Sequence, residues 1–150
     1  RLDARLAAAV MSVPAIKAVE IGDGLATAAL PGSEAHDPIE YAQATGYRRA
    51  SNHAGGLEGG MSNGEPIVMR ASMKPIPTLM KPLRTVDTST HAVADAAKER
   101  SDVCAVPAAA VVCEAEVALV LADVYCRQFG VYCLQDLLGG LSAYRAGIAR

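Results

Sequence analysis

Residues 51–66 read SNHAGGLEGGMSNGEP, and residues 67–73 continue as IVMRASM. Five glycines, Gly55, Gly56, Gly59, Gly60 and Gly64, fall within this sixteen-residue stretch and lead into an alternating apolar run. The run reads as a strand. The glycines ahead of it let the backbone turn sharply or approach another group closely, because no Cβ intervenes. The pattern is neither GxGxxG opening a helix nor a GxxxxGK(S/T) loop. Two readings follow from it: a long surface turn with unusual dihedrals, or a loop laid against a ligand.

Downstream, KPIPTLMKPLR (residues 74–84) carries Pro75, Pro77 and Pro82, which forbid a regular helix or a central strand. Arg70, Lys74, Lys81 and Arg84 lie between Pro66 and Val86 with no acidic residue among them. A rigid, basic segment suits an anionic ligand, and a solvated basic face is the ordinary alternative. Residues 99–102 read ERSD. In an extended chain Arg100 and Asp102 share a face, and a carboxylate beside a guanidinium stays ionised. It would relay a proton or simply bind Arg100. His53, within the glycine loop, is a candidate general base with no partner visible in the sequence.

Upstream, Leu2, Leu6, Ala9, Val10 and Val13 recur at helical spacing, so residues 2–12 read as an amphipathic helix that Pro14 ends. AIKAVEI (15–21) reads as a strand closed by Gly22-Asp23-Gly24. Residues 25–30 read as a short strand and 31–50 as loop. Towards the other end, Pro107 opens a helix over 108–129 that is apolar nearly all round, which predicts packing on several sides. Gly130 stops it, and a weaker helix follows over 133–146. Glu114 and Glu116 interrupt the apolar run, which argues for a buried helix and against a membrane span.

The 150 residues, 51% of them hydrophobic, suffice for one α+β domain over 1–150 with a core of Ala, Val, Leu, Ile and Met. A net charge of −2 predicts no bulk attraction to nucleic acid or anionic lipid. Cys104, Cys113, Cys126 and Cys133 form no CxxC and no disulfide framework. They read as reduced thiols of a cytosolic protein, with Cys113, Cys126 and Cys133 as core packing. The three histidines show no metal-type pairing, and no metal site is expected. The chain begins RLDARLAAAVMSV, without an initiator Met, and reads as a piece of something longer.

SNHAGGLEGGMSNGEPI, MKPIPTLMKPLRTVD and ERSDVCAVPA occur in that order, after VEIGDG and GSEAHD. This ordered set resembles the carboxy-terminal part of chorismate synthase, and the resemblance runs along essentially the whole chain. It implies part of an α+β sandwich and a cytoplasmic enzyme that assembles as a homotetramer. It implies a lyase of the shikimate pathway that converts 5-enolpyruvylshikimate 3-phosphate to chorismate and phosphate by trans-1,4 elimination. Reduced FMN would be the cofactor, with a flavin reductase or NADPH as its source. The resemblance places FMN contacts at Pro14, Ala15, Gly59, Lys74, Pro75, Ile76, Pro77, Thr78 and Arg100. It makes Asp102 the acid working with flavin N5. It also implies a hairpin leading into ERSD, hence strand within 84–103. The family's GESHG-like start, its RxSGRET-like segment and its two general-acid histidines have no match here, so this chain is expected to be inactive alone. The alternative is a flavin- or phosphate-binding or oligomerisation module without catalysis.

Overall fold

The computed structural model describes residues 1–100, 103–130 and 132–148. Helix α1 (Leu2–Ser12) leads into strand β1 (Ile16–Ile21) through Val13, whose extended ψ of 127° is what a residue before proline adopts. Leu6, Val10 and Val13, at helical spacing, are buried, and with Ile16 and Leu57 they form the hydrophobic core. β1 pairs antiparallel with β6 (Met69–Met73): Val19 faces Ala71 and Ile21 faces Met69, with a register irregularity between Ile16 and Ala18. α1 packs on β1 from one face.

Between these two strands lie short helices α2 (Gly24–Ala28) and α3 (Gly32–Ala35), hairpin β2 (Ile39–Ala42)–β3 (Gly46–Arg49), and the small hairpin β4 (Leu57–Glu58)–β5 (Met61–Ser62). Gly59 and Gly60 turn the last of these with φ of 58° and 82°, as a tight hairpin turn demands. Strands β7 (Arg84–Val86) and β8 (Val93–Asp95) form a further hairpin, as expected for residues 84–103. The proline-bearing stretch 74–83 carries no helix or strand. Helices α4 (Val106–Phe129) and α5 (Leu134–Ile148) follow, and Gly130 ends α4 at φ 138°.

Four local expectations are corrected. Residues 25–30 contribute to helix α2 rather than a strand, because the Glu20 carboxylate accepts from Leu25 N at 2.8 Å and holds the first turn. Residues 31–50 are not mostly loop: α3 forms, and β2–β3 is held by the Tyr41–Tyr47 ring pair (4.9 Å) and the Arg48–Glu40 ion pair (3.3 Å). That cross-strand pairing does not show as apolar alternation. α4 is not packed on several sides. It meets α1 and α5, Arg5 and Arg127 both bind Asp123, yet none of its residues is buried. Cys133 is exposed rather than core, whereas Cys113 and Cys126 are half-buried; all four cysteines are free thiols.

Candidate functional site

The glycine loop is built inwards. Gly22 N donates to Val68 O, Asp23 N to His53 O and Val68 N to Gly55 O, so the loop lies flat on the end of the β1–β6 ladder. A Cβ on Gly22 would stand 2.5 Å from Gly55 N, one on Gly55 2.5 Å from Gly22 Cα, and one on Gly56 2.6 Å from Pro66 O. All three glycines have positive φ. Their absent side chains are what lets two backbone segments touch. Gly59 differs: at φ 58° it is exposed, and a Cβ there would meet nothing in the chain.

Two carboxylates clamp this loop. Asp37, 6% exposed, accepts from Ser51 Oγ (2.6 Å), His53 N (2.8 Å) and Ala54 N (2.9 Å). Burial pushes its pKa up, but the hydroxyl and the two amides outweigh that and hold it below the usual carboxylate value. Asp23 receives His53 Nδ1 at 2.6 Å and faces Arg70 Nη2 at 3.6 Å, while Arg70 also donates to Gly22 O. Hydrogen bonding to Asp23 raises the His53 pKa, and the same bond lowers that of Asp23. His53 therefore has a partner, contrary to the sequence reading, and Arg70 is engaged with carboxylates rather than free for an anion. The clamping role of Asp37 went unread because its partners lie 14 to 17 residues away.

The sign of the pH effect follows. A raised His53 pKa contributes stability that is fully present below its unfolded value of 6.5 and is lost as pH rises through the folded value. The lowered Asp23 pKa contributes stability above its unfolded 3.8 that is lost as pH falls through the folded value. His53→Ala is therefore expected to cost more at pH 5.5 than at pH 8.5, read as the shift in urea midpoint between wild type and variant. Equal shifts at both pH values would show that the pair carries no charge-linked stability.

A second site lies at the other end of β1. Lys74 N donates to Ala15 O at 2.9 Å, so Pro14–Ala15 and Lys74–Pro75 meet at one corner beyond the ladder. Ala15 is held at φ 70°, an uncommon left-handed conformation for a residue with a Cβ. Pro14, Lys74, Pro75 and Pro77 are exposed, Ile76 and Thr78 half-buried, and among the described residues Lys74 has no ion pair. This corner combines a free ammonium with a proline-preset chain, which fits one wall of a phosphorylated, flat cofactor. Gly59 is not part of it. Gly60 O accepts from Leu2 N at the start of α1, whereas Pro14 follows its end, so the two places are about 16 Å apart along an eleven-residue helix. Arg100 is exposed, and Asp102 lies outside the described residues.

The described residues thus form an α+β arrangement with an internally clamped glycine loop and an exposed, proline-braced basic corner. The family model for chorismate synthase matches residues 1–126, and the chain belongs to that family. The chorismate synthase of Moorella thermoacetica is 60% identical over 145 residues, covering 97% of this chain and 38% of that protein. That of Mycobacterium avium is 55% identical over 149 residues, covering 99% and 37%. A solved structure titled "Crystal Structure of Chorismate Synthase" superposes with a TM-score of 0.79 at 40% identity, over 99% of this chain and 37% of that one. The chain thus spans under two-fifths of the length of these relatives. No helix among the described residues is long and apolar enough to cross a membrane.

Proposed function

We propose that this chain supplies the flavin-facing portion of a chorismate synthase, a cytoplasmic homotetramer that forms chorismate and phosphate from 5-enolpyruvylshikimate 3-phosphate by trans-1,4 elimination. The observation that carries the reading is the family match over residues 1–126. The meeting of Pro14–Ala15 with Lys74–Pro75 supports it, since two segments remote in sequence that the resemblance assigns to the cofactor lie at one corner.

Reduced FMN, held here, would supply the electron chemistry of the elimination. This chain's residues contribute part of what holds it. Lys74 holds the cofactor phosphate through its ammonium. Pro75 and Pro77 fix the Lys74–Thr78 wall and, with Ile76, keep water from it. Arg100 adds a second cation. Asp102 would take up and pass on the proton at its carboxylate.

The test is anaerobic titration of the chain with reduced FMN, with and without 5-enolpyruvylshikimate 3-phosphate, following chorismate. Flavin binding without chorismate is expected. Chorismate from this chain alone would overturn its dependence on the rest of the family's sequence, and flavin binding unaffected by charge reversal at Lys74 would remove the corner's role. Gly59 stands apart from that corner, at the other end of α1, and would be a separate contact; Gly59→Ala is then expected to weaken flavin binding several-fold while the fold persists, because its new Cβ points into space that the chain leaves open. Unchanged affinity would mean that Gly59 faces away from the cofactor.

A further inference from the structure

Positive φ belongs to glycine almost everywhere in this chain: among the described residues only Ala15 and His91 carry a side chain there. His91 lies in the exposed turn of the β7–β8 hairpin, and histidine is one of the residues that tolerate this region. Alanine is not. Val13 O accepts from Ile16 N at 3.2 Å, so residues 13–16 form a β-turn with Pro14 second and Ala15 third. Proline second and a φ of about +80° third mark a type II turn, whose third residue is normally glycine or asparagine. Alanine prefers the type I form, with a φ of about −90° at that position. Both forms keep the bond between Val13 and Ile16, and Pro14 suits both. They differ by a half-turn of the Pro14–Ala15 peptide.

The surroundings do not dictate the less stable form. β1 carries one extra residue, Lys17, between the pairs Ile16–Met73 and Ala18–Ser72, so the regular ladder beyond it does not fix the turn. Val13 and Ile16 are buried, but either form leaves their side chains in place. The peptide gains no internal bond either: among the described residues neither Pro14 O nor Ala15 N has a main-chain partner. Pro14 is exposed and Ala15 half-buried, while Ala15 O holds Lys74 N at 2.9 Å. A strained peptide with no main-chain partner, at the corner it shares with Lys74, is arranged for a group from outside the turn.

We propose that Ala15 is a positioning residue: its left-handed conformation holds the Pro14–Ala15 peptide in the orientation that hydrogen-bonds the polar edge of a flat cofactor. This rests on the chorismate synthase reading. The type I form turns the peptide's polar groups the other way, so binding draws on the type II population alone, and alanine lowers that population. The role is conformational, and the methyl group is not what the ligand needs.

Three variants of the chain separate conformation from bulk: Ala15→Gly, Ala15→Asn and Ala15→Val. Glycine and asparagine accept positive φ and valine does not, whereas asparagine and valine are similar in size. The readouts are urea midpoints without ligand, hydrogen exchange of the Lys74 amide, and anaerobic titration with reduced FMN. Ala15→Gly is expected to raise the midpoint by a few tenths of a molar and to tighten reduced FMN roughly two- to tenfold. Ala15→Asn is expected to bind within about threefold of wild type. Ala15→Val is expected to bind about tenfold more weakly, with Lys74 exchange unchanged, because both turn forms keep Ala15 O in place. A merely structural role would move the midpoints and leave the affinity of the folded chain as it was.

Four outcomes would overturn the proposal. Weaker binding by Ala15→Gly would make the methyl a contact. Equal losses in Ala15→Asn and Ala15→Val would make bulk the cause. Faster Lys74 exchange in Ala15→Val would mean that the corner itself had come apart, and unchanged affinity in all three would leave the peptide without a ligand. A wild-type chain that does not bind reduced FMN would remove the cofactor reading. The midpoints still decide the turn in that case, since Ala15→Val as stable as Ala15→Asn would show that positive φ is not held.

Discussion

Gly55→Ala is expected to destabilise the chain by about 4 kcal/mol, a large share of a typical folding free energy. Two costs combine. At φ 61° any Cβ is strained, at about 1–2 kcal/mol. The Cβ would also stand 2.5 Å from Gly22 Cα and 2.9 Å from Val68 O, both backbone atoms that cannot swing aside. Overpacking of this kind typically costs about 1–3 kcal/mol more. Gly59→Ala is the control: it has a similar φ of 58° but nothing within 4 Å, so only the dihedral cost of about 1 kcal/mol remains. Urea midpoints of the two variants measure the difference. Equal losses would mean that the Gly22–Gly55 contact is not a structural constraint.

In the chain completed by the rest of the family's sequence, Asp102→Asn is expected to lower kcat by about 10²–10⁴-fold, the usual worth of a positioned acid or base. Flavin affinity should stay within a few-fold, since the amide keeps the size of the carboxylate while losing its charge and its capacity to take up a proton. The split between rate and affinity is the readout. A proportional loss of both would make Asp102 a binding residue, and a near-normal rate would remove it from proton transfer. Arg100→Gln serves as comparison, because a cation that binds the cofactor should change affinity first.

Much of the architecture was legible because it is local. The apolar spacing of Leu6, Val10 and Val13, the proline after Val13 and the glycine after Phe129 each set a boundary within one or two turns of chain. The β2–β3 hairpin was not legible. Its stabilisation comes from the Tyr41–Tyr47 pair and the Arg48–Glu40 ion pair, which become neighbours only once the strands are side by side. α4 misled in the opposite sense: an all-round apolar helix signals burial, but α1 and α5 pack on it without burying any of its residues.

The site divides in the same way. Residue type and order alone determined the family, the glycine loop, the proline-braced basic segment and the residues proposed to meet the flavin. Tertiary structure decided what most of those glycines are for. Gly22, Gly55 and Gly56 make room for backbone, not for a ligand, because β1 and the loop cross at van der Waals contact there. It decided that Asp37 and Asp23 hold the loop, that His53 has a partner and that Arg70 is engaged with carboxylates. It also joined Ala15 to Lys74 while leaving Gly59 at the far end of α1. Sequence carries the conformational preferences of neighbours along the chain; which distant groups share a hydrogen bond is set by how β1 and β6 pair and where α1 lies across them.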